Sequence, residues 1–355
     1  MIIKPCVFAV EDTYQIMVLF EKSALMWVKI GDQVFYDEVA GVMRSETDVH
    51  KVVVPMKLLD EAKSYTVCYK ETVERKTYNP IFKDEESETF EFRPLTNEHF
   101  KAYHICDAHY LVDVASNTAK VYGDIDVLII NGDTPDHFAE KENLKNIYNI
   151  AFPITNGNIP VIYSRGNHNL RGRYAEFLSD YAPTSKGKYY YTFRLGPVWG
   201  IVLDCAEDKE DECYEYAGTC YCQNYRLEQI DFIKNVIADK ENEYAVDGVK
   251  YRVVICHIPY ALVPWDFEKE IYDEWNKLIN ENVKPQIIMS AHTHEKGIVL
   301  PEDDGRLVCP LVIGGEINYN NNYFVGAGFE FEPDKITLTF TDRYNQKFDI
   351  TEFKI

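Results

Sequence analysis

From about residue 99 onward, short apolar segments alternate with polar loops and amphipathic segments, and this alternation constrains the fold most. Strands are predicted at residues 102–106, 127–130, 161–163, 201–203, 253–256 and 287–290. Helices are predicted at 111–121, 141–151, 173–181, 227–240 and 268–280, and strand-like sequence returns from 307. In the helix at 227, the apolar face should be Leu227, Ile230, Ile233 and Ile237. A strand–loop–helix order of this kind predicts an α/β fold.

Residues 1–95 have a different pattern, which predicts an all-β segment. Short runs rich in β-branched and aromatic residues lie at 16–20, 25–30, 51–54, 65–69 and 89–92. Their regular spacing predicts a sandwich. Leu59 and Tyr65 frame a loop before a strand, as in the tyrosine corner of sandwich domains. With a linker at 93–98, the sequence predicts two domains, 1–95 and 99–355.

The composition supports a large folded core and limits the partners. The chain of 355 residues is 46% hydrophobic and 14% aromatic, and its formal net charge is −21. A surface this negative repels nucleic-acid backbones, so a nucleic-acid-packaging role is disfavoured. A small anionic substrate stays compatible with the charge, because bound metal ions reverse the local field.

The sequence predicts a cytoplasmic protein with reduced thiols. It has no apolar run of the about 20 residues that a membrane helix needs, and no secretory signal is visible. Nine cysteines, an odd number, favour free thiols. Cys205, Cys213, Cys220 and Cys222 lie close in sequence; they are either ordinary loop cysteines or a zinc site, although their spacing matches no common zinc pattern. The acidic run 207–212 is predicted to be a solvated loop face, or else to line a cleft.

Five short polar motifs each follow a predicted strand. They are CDAH (106–109), NGD (131–133), RGNHN (165–169), CHIP (256–259) and AHTH (291–294). In α/β sheets, ligands bind at the carboxyl ends of the strands, where loops distant in sequence converge. Carboxylate oxygen, amide oxygen and imidazole nitrogen are all ligands of divalent cations. One aspartate can bridge two such ions about 3.5–4 Å apart.

Each motif taken singly has an ordinary interpretation. Asp-x-His occurs by chance, Gly-Asp after a strand is usually a turn, and a lone histidine such as His257 is often a core residue. Their joint occurrence is harder to attribute to chance. The chain has nine histidines, and five of them fall in these motifs: His109, His168, His257, His292 and His294.

The ordered series resembles the signature of the calcineurin-like metallophosphoesterases, D-x-H, G-D, G-N-H, H and G-H-x-H, over residues 100–325. The resemblance implies a four-layer αββα sandwich. Residues 1–95 are similar to the fibronectin-III-like domain that precedes the catalytic domain in purple acid phosphatases. The stretch from Lys188 to the YRLEQ segment resembles a subset of bacterial purple-acid-phosphatase-like proteins.

By the same resemblance, the chain would bind two divalent metal ions, manganese, iron or zinc. The second ion would be held by Asn167, His257 and His292, and the first by Asp107, His109 and His294. Asp133 would bridge the two ions. His168 would not be a ligand, and would instead donate a hydrogen bond or proton to the phosphoryl or leaving-group oxygen.

Three positions depart from the family pattern. Ala291 replaces the usual glycine, which should be tolerated if its φ is negative, and Asn169 replaces an acidic residue beside His168. Asp136 stands where purple enzymes carry the tyrosine that ligates iron, so that ligand should be missing. Arg165 and Arg171 flank the central motif, and each either grips a phosphate oxygen or has a structural role.

The predicted activity is hydrolysis of a phosphate ester in a small phosphorylated substrate. The likeness to purple acid phosphatases favours a phosphomonoester. A phosphodiester, including a cyclic nucleotide or a glycerophosphodiester, stays open, because the motifs build the metal centre whereas the pocket selects the substrate. The alternative from another class is a non-catalytic metal-binding module whose β-sandwich binds a partner. The sequence does not give the oligomeric state.

Overall fold

The N-terminal part of the chain is built almost entirely of strands. The computed structural model describes residues 2–355. Up to residue 95 its elements are β1 (Ile3–Val10), β2 (Thr13–Ile30), β3 (Gln33–Tyr36), β4 (Glu38–Val39), β5 (Met43–Arg44), β6 (Glu46–Pro55), α1 (Met56–Ala62), β7 (Ser64–Glu74), β8 (Ile81–Phe82) and β9 (Glu86–Glu91). The five predicted strand segments lie in or overlap β2, β6, β7 and β9, so the prediction of an all-β segment is confirmed.

The remaining elements alternate between strands and helices. The strands are β10 (Phe100–Ile105), β11 (Val127–Asn131), β12 (Pro160–Ser164), β13 (Tyr191–Leu195), β14 (Val198–Leu203), β15 (Tyr251–Cys256), β16 (Ile287–Ser290), β17 (Gly297–Val299), β18 (Leu311–Ile313), β19 (Glu316–Asn318), β20 (Tyr323–Glu332), β21 (Lys335–Asp342) and β22 (Lys347–Lys354). The helices are α2 (Val112–Tyr122), α3 (Asn146–Thr155), α4 (Leu178–Tyr181), α5 (Cys222–Ala238) and α6 (Lys269–Leu278). All six predicted strands are confirmed. The predicted helix at 173–181 is confirmed in part, as a 3₁₀ turn (Ala175–Phe177) that continues into the short helix α4.

The strands form two large sheets. In the first, the central path is β22-β21-β20-β10-β11-β12-β1-β2-β7-β8, and β10, β11, β12 and β1 are parallel neighbours. The second has the order β13-β14-β15-β16-β18-β17, with β14, β15, β16 and β18 parallel. The carboxyl ends of the parallel strands therefore meet along one edge of each sheet.

Three hydrophobic cores hold these elements together. One lies between the two sheets, the second joins the first sheet to α2 and α3, and the third joins the second sheet to α5 and α6. Along β11, Val127 and Ile129 face the core between the sheets, whereas Leu128 and Ile130 face the helices. Strands buried on both faces have continuous apolar sequences, as here. This arrangement of cores is compatible with a helix–sheet–sheet–helix order, and the four-layer sandwich stays a prediction.

The N-terminal strands extend the first sheet. Strand β1 pairs in parallel with β12 and antiparallel with β2, and residues of β1, β2, β6 and β7 belong to the core between the sheets. Residues 93–98, the predicted linker, have neither helix nor strand. The division into domains 1–95 and 99–355, and the fibronectin-III-like character of the first, stay predictions.

The predicted tyrosine corner is wrong. The hydroxyl of Tyr65 donates a hydrogen bond to the carbonyl of Gly157 at 2.9 Å, far along the chain, rather than to backbone just upstream. Gly157 lies against Pro5 of β1, so the pairing of β1 with β12 places this carbonyl within reach of Tyr65. The buried tyrosine thus ties the N-terminal segment to the later part of the chain.

The predicted apolar face of α5 is only partly right. Ile233 is buried, but Leu227 is 44% exposed. The buried side also carries Arg226 and Gln229. Gln229 donates to the carbonyl of Asp204 at 2.7 Å and accepts from its amide at 2.9 Å. Because this face holds the loop after β14 by polar contacts, apolar periodicity alone does not identify it.

No helix within residues 2–355 combines the length and apolar character needed to cross a membrane.

Candidate metal centre

Loops from both sheets bring their polar side chains together at one place. The loops after β10, β11 and β12 come from the first sheet, and those after β15 and β16 come from the second. Within residues 2–355, three groups of side chains have ligand atoms within 4.8 Å of one another. They are Asp107, His109, Asp133 and His294; His109, Asp136 and His168; and Asp133, His257 and His292. None of the three groups includes a cysteine.

The backbone is strained where these side chains meet. Five of them have left-handed φ values, namely Asp107 (50°), His109 (44°), Asp133 (51°), His292 (77°) and His294 (62°). A residue with a Cβ rarely adopts this conformation, which costs about 1–3 kcal/mol at each position. Strain of this kind persists where the surrounding structure enforces it, and it clusters at functional sites.

Two glycines allow the loops to approach one another. Gly132 has a φ of +78°, and a Cβ there would collide with Nδ1 of His257. A Cβ on Gly166 would collide with the side chain and amide of Asp133. The glycines of the second and third motifs therefore serve close backbone packing, which no other residue type permits.

The first cluster contains the side chains predicted to hold the first ion. Nε2 of His109 lies 3.0 Å from Nε2 of His294 and 4.0 Å from Oδ2 of Asp133. Nε2 of His294 lies 3.7 Å from Oδ1 of Asp107. On the far side of the His109 ring, Nδ1 lies 2.9 Å from Oδ1 of Asp136. Because Nδ1 of His109 faces the carboxylate of Asp136, Nε2 is directed towards the cluster.

The second cluster contains the side chains predicted to hold the second ion. Nε2 of His257 lies 3.2 Å from Oδ2 of Asp133, and its Nδ1 lies 2.7 Å from the carbonyl oxygen of Asn131. Nδ1 of His292 lies 3.1 Å from Oδ1 of Asn167. These contacts bring an amide oxygen and two imidazole nitrogens to the same carboxylate that borders the first cluster.

Asp133 lies between the two clusters, and its environment suits a cation. Its Oδ2 and Nε2 of His257 are buried and lie 3.2 Å apart without the alignment of a hydrogen bond, and neither has a hydrogen-bond partner within residues 2–355. Buried polar atoms normally have partners, so such a pair indicates a position for an ion. Burial favours a raised pKa for Asp133, but His257, His168 and His109 hold that pKa well below its ordinary value. The donor set of carboxylate, imidazole and amide oxygen fits divalent metal ions.

His168 borders this centre and is held from two sides. Its backbone amide donates to Oδ1 of Asp133 at 2.9 Å. Its Nδ1 lies 2.9 Å from both the carbonyl oxygen and Oδ1 of Asp136, whereas Nε2 lies 3.9 Å from Oδ2 of Asp133. Burial favours a lower pKa for His168, but the contact with Asp136 and the charge of Asp133 outweigh it, so its pKa is raised.

The two arginines have different surroundings. Nη1 of Arg171 lies 3.1 Å and 3.0 Å from the two ring nitrogens of His168. The guanidinium of Arg165 pairs with Asp204 at 2.8 Å and lies over the rings of Tyr189 and Tyr225. The structure therefore places Arg171 beside the metal centre. Arg165 is instead paired with Asp204, which belongs to the loop after β14.

Two acidic residues of that loop reach the centre, and they belong to the run 207–212 that was predicted to be a solvated face or else to line a cleft. Glu207 is 1% exposed, and its Oε1 accepts a hydrogen bond from Nδ2 of Asn167 at 3.2 Å. Oδ2 of Asp208 lies 3.2 Å from Nε2 of His292. The prediction of a solvated face is therefore wrong for Glu207. Both residues follow strand β14 at the same sheet edge as the motifs, and that position is the signal that could have identified them.

The two substitutions nearest the ligands have structural explanations. Ala291 is absent from the positive-φ positions of residues 2–355, so its methyl group fits, as expected. The side-chain oxygen of Asn169 accepts from the amide of Gly166 at 2.9 Å and shapes the loop. Asp136 supplies the carboxylate that contacts His168. An acidic residue at position 169 is therefore not needed for a charge beside this histidine.

Two tyrosines lie beside the first cluster. The hydroxyl of Tyr110 donates to Oδ2 of Asp136 at 2.8 Å. The ring of Tyr319 packs edge-on against His109, with centroids 5.7 Å apart, and against His294 at 6.3 Å. Burial and the nearby carboxylates Asp136, Asp107 and Asp133 raise the pKa of Tyr319 well above its ordinary value. Neither tyrosine was assigned to the site from the sequence.

A fold of two apposed sheets, with an Asp/His cluster at the carboxyl ends of their strands, defines a class of metal-dependent hydrolase. Residues 100–296 match the calcineurin-like phosphoesterases. That match covers more than half of the chain, which therefore belongs to this family and is a metal-dependent phosphoester hydrolase. No curated protein sequence matches the chain.

A solved structure of low sequence identity shows the same fold. A purple acid phosphatase from seeds of yellow lupin (Lupinus luteus) aligns over 99% of this chain and 74% of its own, with a TM-score of 0.60 and 12% identity. A dimetal phosphatase from Danio rerio aligns over 74% of this chain and 99% of its own, with a TM-score of 0.46 and 12% identity. The first likeness extends through the N-terminal strands.

Proposed function

We propose that this protein hydrolyses phosphomonoesters of small molecules at a centre of two divalent metal ions. The observation that carries the proposal is the position of Asp133, which belongs to two of the three ligand groups. A carboxylate shared in this way can bridge two ions. The first ion would bind Asp107, His109 and His294, the second would bind Asn167, His257 and His292, and Asp133 would contact both.

The outer contacts of the histidines support these assignments. A metal-binding imidazole usually donates its other N–H to a carboxylate or a backbone carbonyl, which fixes the ring and the tautomer. His109 has Asp136 at this position, and His257 has the carbonyl of Asn131. In both cases the free nitrogen is Nε2, and it is directed towards Asp133.

When bound, the two ions would neutralise phosphoryl oxygens and lower the pKa of a water molecule between them. His168 would carry the proton transfer. Because Nδ1 of His168 donates to Asp136, a proton on Nε2 requires the imidazolium form, which the raised pKa of His168 favours. Nε2 is the nitrogen nearer Asp133. That position suits donation to the leaving-group oxygen.

Arg171 is the better placed of the two candidate substrate-binding arginines. Its guanidinium lies beside the ring of His168, and its Nε donates to the hydroxyl of Tyr216 at 3.2 Å. A non-bridging phosphate oxygen next to His168 would lie within its reach, since guanidinium groups bind phosphate through paired donors. Arg171 has only longer contacts with acidic groups, 3.4 Å to Glu215 and 3.7 Å to Glu207. Arg165, paired with Asp204 at 2.8 Å, would support the loop rather than the substrate.

The test is an assay of chelator-treated protein reloaded with manganese, zinc or ferrous iron. p-Nitrophenyl phosphate and bis(p-nitrophenyl) phosphate should be compared at equal concentrations, with His168→Ala as the control for contaminating phosphatases. We expect a higher kcat/KM for the monoester. Preferential hydrolysis of the diester would make the protein a phosphodiesterase. Two bound ions without hydrolysis of either substrate would favour a non-catalytic metal-binding module.

A further inference from the structure

The loop that follows β14, residues 204–221, is here called the acidic loop. It is outside the five motifs, yet it contacts both ligands that face each other in the second cluster. Glu207 accepts from Nδ2 of Asn167, and Asp208 lies at Nε2 of His292. The sequence alone leaves Glu207 and Asp208 either on a solvated loop face or lining a cleft. In the structure, Glu207 is buried and Asp208 is largely covered.

The contact with Glu207 fixes the orientation of an amide. A carboxylate only accepts hydrogen bonds, so the atom of Asn167 that faces Glu207 must be the NH₂ group. The carbonyl oxygen of Asn167 is then directed to the opposite side, where it lies 3.1 Å from Nδ1 of His292. Without Glu207, the amide could rotate and present its nitrogen to the cluster.

The contact with Asp208 fixes a tautomer by the same reasoning. Its carboxylate, 3.2 Å from Nε2 of His292, requires the ring proton on that nitrogen. In the neutral imidazole, Nδ1 then carries a lone pair and faces the oxygen of Asn167. Two acceptors 3.1 Å apart repel each other unless a cation lies beside both. The geometry thus prepares two ligand atoms for one ion.

Hydrogen bonds from a buried arginine hold the backbone of the acidic loop in place. Arg226, a fully buried arginine of α5, donates to the carbonyls of Cys205 at 3.1 Å and Glu207 at 2.8 Å. The same guanidinium pairs with Glu268 through contacts of 2.6 Å and 2.8 Å. Lys209 donates to Glu207 at 3.1 Å and to Asp208 at 2.8 Å, which offsets the repulsion between the two carboxylates.

We propose that Glu207 and Asp208 are positioning residues of the second metal site, and this inference depends on the proposed function. Glu207 keeps the amide oxygen of Asn167 towards the ion, and Asp208 keeps His292 in the tautomer that ligates through Nδ1. Loss of such an outer carboxylate lowers metal affinity by about 10–100-fold in comparable sites.

The experiment is a calorimetric titration of Mn²⁺ into the full-length, chelator-treated protein. The variants are Asp208→Ala and Asp208→Asn, with Glu212→Gln as the matched control, because Glu212 is an exposed acid of the same loop. Asp208→Ala should weaken one of the two binding events by about 10–100-fold and leave the other unchanged. Asp208→Asn, whose side-chain oxygen still accepts from Nε2, should recover much of that loss. Glu212→Gln should bind as the wild type does.

A second measurement needs no variant and therefore does not depend on whether the variants fold. In zinc-loaded wild-type protein, NMR of the imidazole nitrogens should show His292 protonated at Nε2 and bound through Nδ1. Ligation through Nε2, or an Asp208→Ala variant with both wild-type affinities, would overturn the positioning role. If the wild type itself binds fewer than two ions, the proposed dinuclear function fails instead, so the two failures are distinguishable.

Discussion

The two halves of the proposed metal centre differ in where their outer carboxylates come from. In the first half, His109 and His168 are both held by Asp136, which follows Asp133 by three residues. In the second half, Asn167 and His292 are contacted by Glu207 and Asp208 of the acidic loop. The outer carboxylate of the first half therefore lies in the loop that follows β11 of the first sheet. The outer carboxylates of the second half lie in the loop that follows β14 of the second sheet.

This difference shows two ways to fix a ligand. The support of the first half depends on one short loop, so it forms whenever that loop takes its conformation. The support of the second half depends on Arg226 and Glu268, which hold the backbone of the acidic loop. Removing one member of a buried ion pair leaves an uncompensated charge, so changes far from the ligands should alter the second half.

The largest effect should come from Asp133→Ala, which removes the carboxylate common to both halves. We expect both ions to bind much more weakly and turnover to fall by about 10⁴-fold, because metal catalysis contributes several kcal/mol. Elemental analysis and the monoester assay measure the two outcomes, with the exposed Asp124→Ala as control. A variant that still binds two ions with full affinity would exclude Asp133 as the bridge.

His168→Ala should separate chemistry from metal binding in both halves. Turnover should fall by about 10²–10⁴-fold, the range for a general acid or base, while both ions stay bound. His99, an exposed histidine paired with Glu330, provides the matched control in His99→Ala. Loss of an ion from His168→Ala would make His168 a ligand, and near-normal turnover would remove it from the mechanism.

Asp136→Asn should affect the first half and leave the second half unchanged. Loss of the charge beside His109 should lower the affinity for one ion by about 10–100-fold. Turnover should also fall, because His168 loses the same partner. Calorimetry of this variant beside Asp208→Ala compares the two halves directly, and Asp113→Asn is an exposed control. Equal weakening of the same binding event in both variants would contradict the division into two halves.

The smallest expected effect concerns colour. With Asp136 at the position of the iron-ligating tyrosine of purple enzymes, protein loaded aerobically with iron should show no intense visible band. Tyr110 and Tyr319 lie beside the first half, but neither is a predicted ligand. Tyr110→Phe and Tyr319→Phe should therefore leave the visible spectrum unchanged. A strong band that disappears in Tyr319→Phe would show that this phenol reaches the metal.

The strands and the motifs could be predicted from the sequence because their signals are local. A doubly buried strand such as β15 has a continuous apolar run, and each motif follows such a strand directly. The buried face of α5 could not be predicted in the same way. Its Arg226 and Gln229 are buried by hydrogen bonds to the acidic loop, and that loop is distant in sequence.

The sequence by itself determined the α/β order, the five motifs and the residue types of a metal centre, because each depends on neighbours within a few positions. The tertiary structure decided which partners those residues have. The pairing of β1 with β12 joined the N-terminal strands to the first sheet, and it brought Gly157 to Tyr65. The packing of α5 against the second sheet brought Glu207 and Asp208 to the ligands. Such contacts depend on the relative positions of distant segments, which local sequence patterns do not specify.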